Sequence, residues 1–102
     1  MTLDDLRKDI DRVDEVLVRL LNERARCVCE IGRLKKELGV EVYQPDREKK
    51  VLEKVKQSAQ DLAGPLTSEA VVRIFERIID EARRAERESG STGEDFGPSL
   101  GE

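Results

Sequence analysis

Three ionisable residues, Arg24, Glu48 and Glu86, stand where the pattern calls for apolar side chains, and a fourth, Lys35, stands beside Leu34 at the edge of an apolar row. Arg24 interrupts a row that runs Leu3, Leu6, Ile10, Val13, Leu17, Leu20, then Cys27, Ile31, Leu34 and Leu38. Spacings of three and four alternate along that row, as on one buried face of a helix. Lys35 follows Arg24 by eleven residues, about 20° beyond three full turns, so the two cations share a side. Glu48 heads a second apolar row of Leu52, Val55, Ala59 and Leu62. Glu86 closes a third, formed by Val72, Phe75, Ile79 and Ala82. Two arrangements fit these charges. They pair as buried salt bridges, Arg24 with Glu48 for instance, which is often no better for stability than apolar replacement. Alternatively, two cations and two carboxylates line a pocket between helices for a small anionic ligand.

The remaining residues narrow the chemistry. The chain has no His, which removes Ser-His-Asp and Cys-His triads and most transition-metal sites. Cys27 and Cys29 form a C-x-C. On a helix they point roughly 200° apart, too far to share a metal or a disulfide. Cys27 is expected in the apolar row and Cys29 on the side facing away. Arg12, Arg19, Arg26 and Arg33 recur every seventh residue among Asp and Glu, as on a solvated surface. Chemistry here must use Arg, Lys and carboxylates. Arg7 stands beside Leu6 at the edge of the row, some 25 Å along the helix from Arg24 and too far to share a small ligand within one chain. Antiparallel pairing of two first helices would bring it towards the other chain's pocket.

Three helices must position these groups. The first is predicted to start after Thr2, an N-cap with Asp4 and Asp5 in the first turn, and to end at Gly39, suited to a left-handed C-cap. At about 55 Å it is longer than so small a domain covers alone, so a two-fold dimer is expected. A short extended connector, "VEVYQP", leads to Pro45 at the first position of helix two. That helix runs to about Leu62, where "AGPL" breaks it. Thr67 caps helix three, which fades near Glu88. The domain therefore spans 1–88, and residues 89–102, "SGSTGEDFGPSLGE", read as a disordered Gly/Ser-rich acidic tail.

Composition agrees with this all-α reading. Of 102 residues, 41% are charged and only 3% aromatic, as in salt-bridge-laced helices rather than a sheet. The net charge of −4 argues against binding nucleic acid. No apolar run reaches the length of a membrane span, nor does the start resemble a signal peptide. A cytoplasmic protein is expected.

"LRKDIDRVDEVLVRLLNERARCVCEIGRLKKELG", "VYQPDREKKVLEKV" and "GPLTSEAVVRIFERIIDEARRAE" together resemble the all-helical class of chorismate mutases. The likeness is to the short domains that stand alone or are fused to prephenate dehydratase or the first shikimate-pathway synthase. It covers residues 3 to about 88 and excludes the tail. It implies an intertwined dimer of three-helix chains, one helix long and two shorter, with two equivalent sites. It also implies the rearrangement of chorismate to prephenate in Phe and Tyr biosynthesis, with no cofactor, no metal and no covalent intermediate. Carried over by resemblance, Arg24 binds one substrate carboxylate and Arg7, supplied by the partner chain, binds the other. Lys35 hydrogen-bonds the ether oxygen, Glu48 accepts from the ring hydroxyl, and Arg47 lines the site.

Three positions depart from the family pattern. Gln44 stands where some members carry Asp, Ala82 replaces a Ser or Asn, and Glu86 replaces a Gln that donates to the ether oxygen. Glu86 can donate there only when protonated. The resemblance leaves open a complex with another shikimate-pathway enzyme. It also leaves two rival activities: isochorismate-pyruvate lyase on the same fold, and a non-catalytic helical dimerisation or regulatory domain.

Overall fold

A computed structural model describes residues 1–41 and 44–92. They form α1 (Leu3–Leu38), α2 (Pro45–Leu62) and α3 (Ser68–Thr92). The local signals act as the sequence predicts. Thr2 Oγ1 accepts from the Asp5 N–H at 3.1 Å while Asp5 Oδ2 accepts from the Thr2 N–H at 3.1 Å, which is a capping box. Gly39 ends α1 in the left-handed region at φ 72°. Pro45 opens α2, and Thr67 Oγ1 accepts from the Ala70 N–H at 3.0 Å at the start of α3.

α2 turns into α3 through Ala63, whose φ of 54° is the one positive value among the described non-glycine residues. A Cβ is disfavoured there, and Gly64 stands one position late. Ala63→Gly is expected to raise stability by ~0.5–1 kcal/mol, read from thermal or urea unfolding.

α3 packs against both α1 and α2. α2 and α3 run antiparallel, which sets Glu48 in the first turn of one beside Arg83 near the end of the other. Ile79 and Ala82 are buried on α3, and Cys29 on α1 is only 2% exposed. Cys29 was expected to face away, and Cys27 to be covered; within the chain the reverse holds. The face of α1 that meets α3 is Ala25, Val28, Cys29 and Gly32. It lies one residue on from the Arg24, Cys27 and Ile31 row, a rotation of ~100°. Small side chains make this second face, which lets two helices approach closely. The long row itself, Leu3 through Leu38, is open, from 43% exposed at Leu6 to 67% at Leu38.

Two further details differ from expectation. Leu62 is 82% exposed at the last turn of α2 rather than turned inward. α3 continues past Glu88 to Thr92. Extending a formed helix gains a backbone hydrogen bond per residue without needing an apolar face, and the Ser89 hydroxyl donates to the Glu86 carbonyl at 3.0 Å. The rest of the expected tail, residues 93–102, lies outside the described residues. The described chain measures 53 × 34 × 16 Å.

Candidate active site

The C-terminal half of α1, residues Gly39, Val40, Glu41 and Gln44, the first turns of α2 and the later turns of α3 line an open cleft of about 1270 Å³. Arg24, Lys35 and Glu86 line it, as do Gln44, Arg47, Glu48 and Ala82. The structure thus brings together seven of the eight residues singled out in the sequence. Arg7 is the exception: exposed near the start of α1, it is not part of this cleft.

Each side chain is set by its helix. Arg24 lies at the boundary between the open apolar row of α1 and the small-residue face that meets α3, and it is half-buried. From there it lines the cleft. Among the described residues it forms no ion pair. Lys35 Nζ donates to Gln44 Oε1 at 3.1 Å. Gln44 is the N-cap residue of α2 yet caps nothing with its side chain. Its amide bridges the two helices instead. Being neutral, it orients the ammonium without cancelling its charge.

Glu48 does not pair with Arg24, one of the two arrangements open from sequence. Its carboxylate pairs with Arg83 at 3.1 Å, and Arg83 in turn holds Asp80 at 2.6 Å. Both partners of the Glu48–Arg83 pair are about one-third exposed or less, so the pair is shielded but still wet. Glu86 is half-buried, its carboxyl lying over the buried backbone of Gly32.

Sequence reasoning missed Arg83 and Gly32. Arg83 carries no signal of its own in the sequence, because its partner lies 35 residues away, a pairing that only the α2–α3 hairpin creates. Gly32 did leave a signal, since an isolated glycine inside a strong helical pattern suggests a packing reason.

Cationic side chains outnumber carboxylates in the lining, eight to five among the described residues, in a chain of net charge −4. Positive potential is therefore focused where the rest of the surface is acidic. Val28, Ile31, Val51 and Ile79 supply apolar wall between the charges. Such a site suits a small anion with an apolar body. Among the described residues no cluster of His, Cys, Asp or Glu is arranged to hold a metal ion, and no helix is long and apolar enough to cross a membrane.

The family model described as chorismate mutase type II matches residues 6–87. The chain is 37% identical over 86 residues to the bifunctional chorismate mutase/prephenate dehydratase of Aquifex aeolicus, covering 83% of this chain and 24% of that protein. It is 42% identical over 91 residues to the bifunctional protein of the same description from Neisseria gonorrhoeae, covering 84% and 24%. The chain thus spans about a quarter of the length of these curated relatives. Among solved structures, chorismate mutase (Form II) from Thermus thermophilus superposes with a TM-score of 0.77 at 38% identity, covering 83% of this chain and 93% of that one.

Proposed function

The chain belongs to the type II chorismate mutase family, and from that premise we propose that it rearranges chorismate to prephenate. The observation that carries the proposal is one cleft lined by Arg24, Lys35, Arg47, Glu48 and Glu86 in a chain without His. A Claisen rearrangement needs no nucleophile. It needs the substrate held in a compact diaxial shape and charge stabilised as the ether C–O bond breaks.

Arg24 binds one carboxylate through its planar fork. The second carboxylate is met by the partner's Arg7 in a dimer. Support for that dimer is the row of nine large apolar residues left open along α1, an unusually long patch for a monomer. Lys35, oriented by Gln44, faces the ether oxygen. Glu86 completes the contact to that oxygen from α3. Glu48, held by Arg83, accepts from the ring hydroxyl. With Ala82 at its position no side-chain hydrogen bond reaches the ring carboxylate from that turn. No cofactor enters the reaction.

Incubation with chorismate and, separately, with isochorismate tests this reading. Prephenate formed from chorismate is the expected result. Salicylate from isochorismate with no prephenate from chorismate would make the protein a lyase. No turnover of either would leave a helical dimerisation domain.

A further inference from the structure

Glu86 acts at a single substrate atom in the proposed mechanism, so the position of its carboxyl matters. That position is set from the neighbouring helix. Gly32 is buried in α1 where α1 meets α3. A Cβ in place of its hydrogen would overlap Glu86 Oε2 outright, and would stand 2.8 Å from Cδ and 3.1 Å from Cγ. Rotation about the Cγ–Cδ bond moves the two oxygens but leaves Cδ in place. Relief therefore requires another rotamer higher in the side chain, which carries the whole carboxyl elsewhere.

The backbone does not itself call for glycine. Among described glycines only Gly39 has a positive φ, so Gly32 keeps an ordinary helical conformation that alanine would favour. The helix carries its weakest ordinary former at the one point where the carboxyl of Glu86 needs room.

We propose that Gly32 is a positioning residue of the active site: the missing side chain is the recess that seats the Glu86 carboxyl against the cleft. The proposal rests on the reading of Glu86 as a substrate contact. Because the displaced group is the end of a flexible side chain, Gly32→Ala disturbs the site and not the fold. Stability and activity should therefore move in opposite directions, which a merely structural role would not produce.

The test compares four full-length proteins: the parent, Gly32→Ala, Glu86→Ala and the double variant. Gly32→Ala is expected to melt at or above the parent's temperature and to lose kcat on the order of tenfold or more, with a smaller change in KM. In the Glu86→Ala background the same substitution should change kcat by less than about twofold, because the group it displaces is gone. A Gly32→Ala kcat equal to the parent's would overturn the proposal. So would an equal loss in both backgrounds, or failure of Gly32→Ala to fold. If the parent does not convert chorismate, the functional reading falls by itself. Crystal structures of the parent and Gly32→Ala then decide the positioning claim, and an unmoved Glu86 carboxyl would refute it.

Discussion

Lys35→Ala is expected to lower the turnover number with chorismate by about a hundredfold or more while leaving the helices intact. The ammonium donates to a neutral amide at 3.1 Å, a contact that fixes its place without neutralising the charge needed at the breaking C–O bond. A charge-assisted contact made only as that bond breaks is worth ~3 kcal/mol or more of barrier, and one factor of ten corresponds to ~1.4 kcal/mol. The loss should appear in kcat and kcat/KM together, as for an interaction confined to the transition state. Circular dichroism of the variant checks the fold, and single-turnover kinetics checks the chemical step. A turnover number close to the parent's would remove Lys35 from the mechanism.

Mixing Arg7→Ala with Arg24→Ala, each inactive alone, is expected to restore activity once chains exchange. Arg24 lines the cleft and Arg7 does not, because ~25 Å of helix separates them. If each site takes Arg24 from one chain and Arg7 from the other, a hybrid dimer has one site with both arginines and one with neither. At equal amounts half the dimers are hybrid, so about a quarter of the parent's activity should return. Exchange is verified by native mass spectrometry with one chain labelled. Proven exchange without recovery would show that the two arginines do not share a site.

Most helix boundaries were legible because they are written in local chemistry. Thr2 and Asp5 cap one another, Gly39 takes a conformation that costs it little, and Pro45 and Thr67 start helices where their side chains suit the first turn. The cleft was legible for a different reason. Arg24, Glu48 and Glu86 are anomalies against an apolar pattern, and helical geometry adds Lys35 by setting it on the same face as Arg24. The in-chain face of α1 was not legible. Ala25, Cys29 and Gly32 are too small to stand out beside a row of leucines, although small size is what permits contact with α3. Arg83 was hidden because its partner Glu48 is near in space only through the hairpin. The extension of α3 to Thr92 was hidden because helix propagation continues after the apolar signal stops.

The 16 Å thickness of the chain has a thermodynamic consequence. So thin a chain has little interior of its own, and its three buried apolar side chains among the described residues are a small return on the entropy of ordering it. Covering the exposed half of nine α1 side chains is worth roughly 1 kcal/mol apiece, on the order of 10 kcal/mol per chain. On the proposed dimer most of the free energy of folding is therefore free energy of association. Unfolding becomes a bimolecular equilibrium, with a melting temperature that climbs with protein concentration. Dilution acts as a denaturant, and specific activity should fall as the enzyme is diluted towards its dissociation constant, with helix content falling in step.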